Sequence, residues 1–135
     1  MRAFIIQAEN RPGALADIAE ALGERGINIS GIAGSAWDTS GAIGIITNDD
    51  AGTRSVLDAR DADYREAELV AAGMEDRPGT LGSAARRLAD HGVNIQAIIP
   101  TGMQGTRVTV AFAVDDAAAA REALGDMAMS GSASI

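Results

Sequence analysis

The chain contains two copies of one sequence pattern, spaced 66 residues apart. Arg11-Pro12-Gly13-Ala14-Leu15 precedes Gly26-Ile27-Asn28-Ile29, and Arg77-Pro78-Gly79-Thr80-Leu81 precedes Gly92-Val93-Asn94-Ile95 at the same spacing. The same offset also relates Asp49-Asp50 to Asp115-Asp116 without a gap. A match of this length covers helices, strands and turns together, so we predict a tandem duplication. We expect one unit at residues 1–68 and a second at residues 69–135, each a supersecondary block able to pack on its twin.

The hydrophobic periodicity predicts the same element order in each copy. The short apolar run Ala3 to Ala8 favours a buried strand, and apolar residues then recur at helical spacing from Leu15 to Leu22. Pro12 suits the first turn of this helix. A predicted hairpin, a second helix capped by Asp49 and a returning strand complete the order strand, helix, strand, strand, helix, strand. This is the ferredoxin-like βαββαβ unit of the α+β class, with an antiparallel sheet.

The junction of the two copies and the end of the chain carry further expectations. Residues 63–74 have to supply both the last strand of the first copy and the first strand of the second, which leaves no flexible linker. After Gly125 few residues remain, and Ser130 to Ser134 have the composition of a loop. We therefore expect the last strand of the second unit to be short or missing.

Composition excludes several classes of function. The formal net charge of −8 argues against a nucleic-acid partner, because such binding depends on clustered Lys and Arg. The chain has no cysteine, and no His, Asp or Glu cluster has the spacing of a metal site. No apolar run approaches the length of a membrane span. We expect a cytoplasmic protein without membrane association, catalytic residues, metal or cofactor, and hence not an enzyme.

The two motifs resemble the ACT domain, a small amino-acid-sensing module that is attached to enzymes of amino-acid metabolism or regulates them. The resemblance covers nearly the whole chain, to about Leu124, and leaves no room for a catalytic domain. It implies two ferredoxin-like units whose helices lie on one face of their sheets. It further implies an allosteric sensor of a small amino acid, a homodimer, and a regulated metabolic enzyme as partner.

In this family, amino-acid ligands commonly lie at the turn from the first strand into the first helix, where two domains meet side by side. A helix N-terminus there attracts a carboxylate, and a glycine lets the ligand approach the main chain. The candidate contacts in the first copy are Asn10, Arg11, Pro12, Gly13, Ala14, Leu15, Asn28 and Ile29. Those in the second copy are Asp76, Arg77, Pro78, Gly79, Thr80, Leu81, Asn94 and Ile95.

Each motif also has a purely structural interpretation. Arg-Pro-Gly is a good strand-to-helix turn, and Gly-Ile-Asn-Ile is a good helix stop followed by a strand. Asp76 replaces Asn10 and adds a negative charge near the expected carboxylate, which favours the structural interpretation in the second copy. Trp37, the single tryptophan, aligns with Met103 and suits the cover of a ligand or of a partner surface, or local packing. The alternative to a sensor is thus an interaction or dimerisation module that regulates an enzyme without binding a ligand.

Overall fold

The computed structural model describes residues 1–129, which fall into two units. Unit 1 is Met1–Glu66 and unit 2 begins at Ala67. The division lies within one continuous strand, Tyr64–Glu75, so the two units are joined without a linker. Ser130 to Ser134, which we expected to form a loop, lie outside the described residues.

Unit 1 has three complete strands, two helices and the start of a fourth strand. These elements are β1 (Arg2–Glu9), α1 (Ala14–Glu24), β2 (Ile29–Trp37), β3 (Ser40–Thr47), α2 (Asp50–Ala59) and the beginning of β4 (Tyr64–Glu75). The strand order is β2-β3-β1-β4, and β3 runs antiparallel to both β1 and β2. Both helices cover one face of the sheet, because Leu22 of α1 and Leu57 of α2 share a buried cluster with Phe4 and Ile45 of paired strands.

Unit 2 repeats this arrangement with a reduced last strand. Its elements after β4 are α3 (Thr80–Asp90), β5 (Ile95–Gln104), β6 (Arg107–Val114), α4 (Ala117–Leu124) and a short 3-10 turn (Gly125–Met127). The strand order is β4-β6-β5, with antiparallel pairing throughout. The expected short final strand is a single bridge between Ala128 and Ala72, next to a bond from Met129 N to Ala71 O (2.8 Å). The predicted fold of two βαββαβ units is therefore confirmed. Within residues 1–129, no helix is long and apolar enough to cross a membrane.

The four helices begin in two different ways. Asp49 and Asp116 precede α2 and α4 in extended conformation, and each side chain accepts a hydrogen bond from a first-turn N–H. Gly13 and Gly79 precede α1 and α3 with φ of 89° and 92°, and neither helix has a side-chain cap. The predicted place of Pro12 in the first turn is wrong, because the left-handed Gly13 separates Pro12 from the helix.

The hairpin turns show where the two copies lose their common offset. Trp37 pairs with Ser40 across one two-residue turn, and Gln104 pairs with Arg107 across the other. The first turn residue has a positive φ in both, 57° at Asp38 and 61° at Gly105. Equivalent positions in the hairpins are therefore 67 residues apart, not 66.

An additional residue in β5 accounts for the change of offset. The pairing of β5 with β6 shifts between Pro100 and Gly102, so Thr101 is a bulge with no counterpart in β2. The expected gapless match as far as Asp115-Asp116 is wrong beyond Pro100. Trp37 corresponds to Gln104 rather than to Met103, and the helix cap Asp49 corresponds to Asp116.

Two leucines on α3 allow a test of the core of unit 2. Leu88 is fully buried and Leu81 is 48% exposed. We expect Leu88→Ala to lower the free energy of unfolding by about 2 to 5 kcal/mol, because it leaves a cavity in the core. Leu81→Ala should change it by less than about 1 kcal/mol. Urea unfolding followed by circular dichroism measures both, and equal losses would contradict the assigned orientation of α3.

Candidate functional site

An open groove of about 450 Å³ lies in unit 1. One side is the loop that leads from β1 into α1, and the other is the β2–β3 hairpin. The loop and the first turn of the helix contribute Asn10, Arg11, Ala14 and Leu15. The principal side chains and glycines on the sheet side are Ala8, Ile32, Gly34, Ala36, Gly41 and Ile43.

Three very small residues form the floor at the outer end of the groove. Ala8 pairs with Gly41 across β1 and β3, and Gly41 pairs with Ala36 across β3 and β2. Directly paired residues point to the same face of a sheet, and this row continues the face that carries Phe4 and Ile45 toward the helices. We call Ala8, Gly41 and Ala36 the small row. No side chain longer than a methyl group rises from it, so the space above it stays open.

Two large apolar side chains border this open space. Leu15 is 47% exposed and Ile32 is 42% exposed, and both line the groove. Leu15 lies at one end of the apolar face predicted for α1 and is one of the expected contact residues. Its position in the first turn of α1 places it at the groove, where the small row gives it little to pack against. The groove thus combines an apolar rim with an apolar floor.

The start of α1 supplies the polar end of the groove. Ala14 N makes only a long bond of 3.4 Å to Arg11 O, and within residues 1–129 the N–H groups of Leu15 and Ala16 have no acceptor. A side-chain cap requires extended backbone at the residue before the helix, and Gly13 is left-handed instead. Free N–H groups at the positive end of a helix dipole favour an anion such as a carboxylate.

Asn10 holds the loop against the tip of the hairpin. Its backbone N donates to Thr39 O (3.0 Å), and its side-chain Nδ2 donates to Asp38 O (2.8 Å). Because a donor must face the Asp38 carbonyl, the amide oxygen Oδ1 points elsewhere and remains able to accept a hydrogen bond. Asn10 lines the groove and so keeps an acceptor available on the loop that leads into α1.

Arg11 brings a positive charge that is already paired. Its Nη2 donates to Asp17 Oδ2 (2.8 Å), and its Nε lies 3.7 Å from Glu9 Oε2. The hydrogen bond from Arg11 lowers the pKa of the Asp17 carboxyl and raises the pKa of the guanidinium. Both partners are about half exposed, so the pair orders the loop more than it stabilises the fold.

The equivalent loop of unit 2 keeps the backbone geometry with different side chains. Asp76 N donates to Thr106 O (2.8 Å), as Asn10 N does to Thr39 O, but a carboxylate cannot repeat the Asn10 side-chain donation. Thr80, in place of Ala14, has its hydroxyl 2.7 Å from Glu75 O. Within residues 1–129, Arg77 makes no ion pair. The second loop therefore lacks the side-chain tie and the ion pair of the first.

The family model of the ACT domain matches this chain twice, at residues 3–62 and 69–126. The chain belongs to the ACT-domain family. Its two ACT domains correspond to unit 1 and unit 2, in agreement with the resemblance of the two sequence motifs. No curated protein matches the chain in sequence.

Several solved structures share the fold of the whole tandem ACT protein. Protein BT0572 from Bacteroides thetaiotaomicron is 20% identical with a TM-score of 0.74, over 93% of this chain and 86% of that one. The regulatory subunit of aspartate kinase from Thermus thermophilus, in ligand-free form, is 17% identical with a TM-score of 0.67, over 93% and 90%. The corresponding subunit from Thermus flavus is 20% identical with a TM-score of 0.61, over 93% and 90%. At these identities the likeness establishes the fold.

The structure brings some of the predicted contact residues of the first ACT domain together. Asn10, Arg11, Ala14 and Leu15 line the groove, whereas Pro12 and Gly13 belong to the same loop without lining it. Asn28 and Ile29 lie at the start of β2 and do not line it either.

The backbone N–H groups of the two predicted asparagines donate equivalent hydrogen bonds in the two units. Asn28 N donates to Asn48 Oδ1 (3.0 Å), and Asn94 N donates to Asp115 Oδ1 (2.9 Å). Each bond ties the start of a strand to the segment before the next helix. Amino-acid contacts at these asparagines, and at Ile95 and residues 76–81 of unit 2, stay predictions.

The sheet side of the groove was missed by the sequence interpretation. Ala8, Ala36 and Gly41 are small apolar residues within strands, and nothing in their type distinguishes a groove floor from ordinary sheet. Comparison of the two copies contains the signal, since Met74 stands where the first copy has Ala8. The corresponding differences in the hairpin strands, at Ala36 and Gly41, can be recognised only after the bulge at Thr101 is taken into account.

Two glycines of the same helix region test the left-handed start of α1. We expect Gly13→Ala to lower the free energy of unfolding by about 1 to 2 kcal/mol, since alanine at φ of 89° is strained. Gly23→Ala should raise it by about 0.5 to 1 kcal/mol, because Gly23 is helical and an added Cβ meets nothing within 4 Å. The shift of the urea midpoint has opposite signs for the two variants. A gain in both would contradict the conformation of Gly13.

Proposed function

We propose that this tandem ACT protein binds a free amino acid in the groove of unit 1 and acts as a regulatory subunit that reports the bound state to a partner enzyme. The observation that carries the proposal is the meeting of three features in one groove. These are the uncapped start of α1, the free amide oxygen of Asn10 and the apolar floor.

Each part of an amino acid has a complementary group there. The α-carboxylate would accept hydrogen bonds from the free N–H groups at the start of α1, where the helix dipole is positive. The ammonium would donate to Asn10 Oδ1. The side chain would lie over the small row, between Leu15 and Ile32. Arg11, paired with Asp17, would neither attract an anionic side chain nor repel a cationic one strongly.

A regulatory role fits the architecture of the chain. The two ACT domains account for residues 3–62 and 69–126, which leaves few residues for other functions within this sequence. The shared fold with the regulatory subunit of aspartate kinase from Thermus thermophilus supports the same kind of role here. We propose an enzyme of amino-acid metabolism as the partner and a homodimer as the working form.

A second candidate function follows from the edge of the sheet in unit 1. β2 is an edge strand, and Ile29–Trp37 contains no charged residue and no proline, the usual protections of an exposed edge. β5, the edge strand of unit 2, carries Pro100 and two pairing irregularities. Trp37 at the end of β2 is 87% exposed. An interaction module without a ligand would use this edge, and its self-association would weaken in Trp37→Lys.

The deciding experiment is a thermal-shift screen of the purified protein against the twenty common amino acids. A ligand at a hundred times its dissociation constant adds about 2.7 kcal/mol, which raises the melting temperature by several degrees. We expect a selective shift, and about tenfold weaker binding in Asn10→Asp, because a carboxylate cannot donate to Asp38 O and no longer holds the loop against the hairpin. Tenfold corresponds to about 1.4 kcal/mol.

Asp76→Asn is the matched control, because it makes the reciprocal exchange at the equivalent position of unit 2. It should leave the affinity unchanged. A screen in which no amino acid shifts the melting temperature would overturn the proposal and favour the interaction module. A loss of affinity in Asp76→Asn equal to that in Asn10→Asp would contradict the assignment to unit 1.

A further inference from the structure

We infer that one cross-strand row decides which ACT domain binds a ligand and which side chains the groove accepts. The inference rests on the proposed function and deepens it. In unit 1 the small row keeps the groove open for one aliphatic amino acid, and in unit 2 the protein's own side chains occupy the equivalent space.

The pairing register identifies the equivalent row in unit 2. Met74 pairs with Val108 across β4 and β6, and Val108 pairs with Met103 across β6 and β5. We call Met74, Val108 and Met103 the large row. It matches the small row strand by strand, so a Met-Val-Met row replaces an Ala-Gly-Ala row at the same level of the sheet.

The burial of Met74 shows that the inner end of the large row fills its own space. Met74 is 3% exposed and belongs to the buried cluster of unit 2, with Val108 packed against that cluster. Met103 is 62% exposed and stands at the edge of the row. A flexible thioether side chain adapts to irregular space, so Met74 is well suited to close the position that Ala8 leaves open.

Backbone packing explains why unit 1 keeps its small row. A Cβ at Gly41 would lie 2.7 Å from Ser35 O and 3.3 Å from Ala36 Cα, so no larger residue fits without a shift of β2. Unit 2 carries Val108 at this position, and the bulge at Thr101 in β5 lies opposite the following residues, Thr109 and Val110. The additional residue and the larger side chain therefore occur together.

The chemistry of the floor indicates the class of ligand. The groove is bordered over the small row by Leu15, Ile32 and Ile43, and none of these offers a polar partner to a ligand side chain. Glu9, Arg11 and Ser35 also line the groove, but Arg11 is held by Glu9 and Asp17, so a charged side chain over the small row would lose hydration with little compensation. We therefore assign an aliphatic side chain to the ligand.

Titration calorimetry with L-valine, L-leucine and L-isoleucine, and with L-lysine and L-aspartate for comparison, tests the inference. We expect one aliphatic amino acid bound per chain and no binding of the charged pair. Ala36→Met, at an exposed position that tolerates a larger residue, should weaken binding more than tenfold by filling the groove. Ala8→Met should do the same, and circular dichroism checks that this less exposed position still permits folding.

Met103→Ala is the matched control, since it shortens the exposed member of the large row and should leave the affinity and stoichiometry unchanged. Two ligands per chain would overturn the closure of unit 2 while leaving the proposed function intact. Unchanged affinity in folded Ala36→Met and Ala8→Met, or preference for L-lysine or L-aspartate, would overturn the role of the floor. Failure of the wild type to bind any of the twenty amino acids would instead overturn the proposed function itself.

Discussion

The two-residue turns of the hairpins fix the pairing register on which the remaining features depend. Once Trp37 is opposite Ser40, the pairs along β2 and β3 follow as far as Gly31 and Ile46, including the alignment of Gly41 with Ala36. Alternation of side chains then determines which residues face the helices and which face away. A slip of one residue would turn the small row to the other face of the sheet. The groove and its floor are therefore consequences of a turn at Asp38, where a positive φ is adopted by a residue that tolerates it.

The duplicated motifs were sufficient to predict the fold, because each motif couples a helix start to a strand start at a set distance. Gly26 was predicted as a left-handed helix stop and has φ of 69°, and Asp49 was predicted as a helix cap and accepts from Gly52 N. Such local features can be predicted from sequence because each depends on one residue of a particular type. Pro12 was misplaced because proline suits both the first helical turn and the residue just before a left-handed glycine.

The candidate site was only partly predictable. Its loop carries a recognisable motif. Its floor consists of alanine and glycine, which keep the groove open because their side chains are small or missing. The bulge at Thr101 also lies beyond sequence reasoning, because the hydrophobic alternation on either side of it remains plausible with or without the insertion. One inserted residue in β5 shifts the correspondence of the copies, and residue comparison across the repeat is misleading until pairing partners are known.

The left-handed glycine before α1 has a consequence for how this protein can evolve. Helices α2 and α4 are completed by their own aspartates, whereas α1 and α3 each begin with a backbone that no capping side chain can serve. Glycine in place of a capping side chain costs a helix roughly a few tenths of a kcal/mol, so both units retain a small local instability. In unit 1 the uncapped start of α1 borders the open space over Ala8, whereas in unit 2 the buried Met74 stands at the equivalent position. We expect variants of unit 1 selected only for heat resistance to gain a larger side chain at Ala8, as Met74 provides in unit 2, rather than a cap for α1.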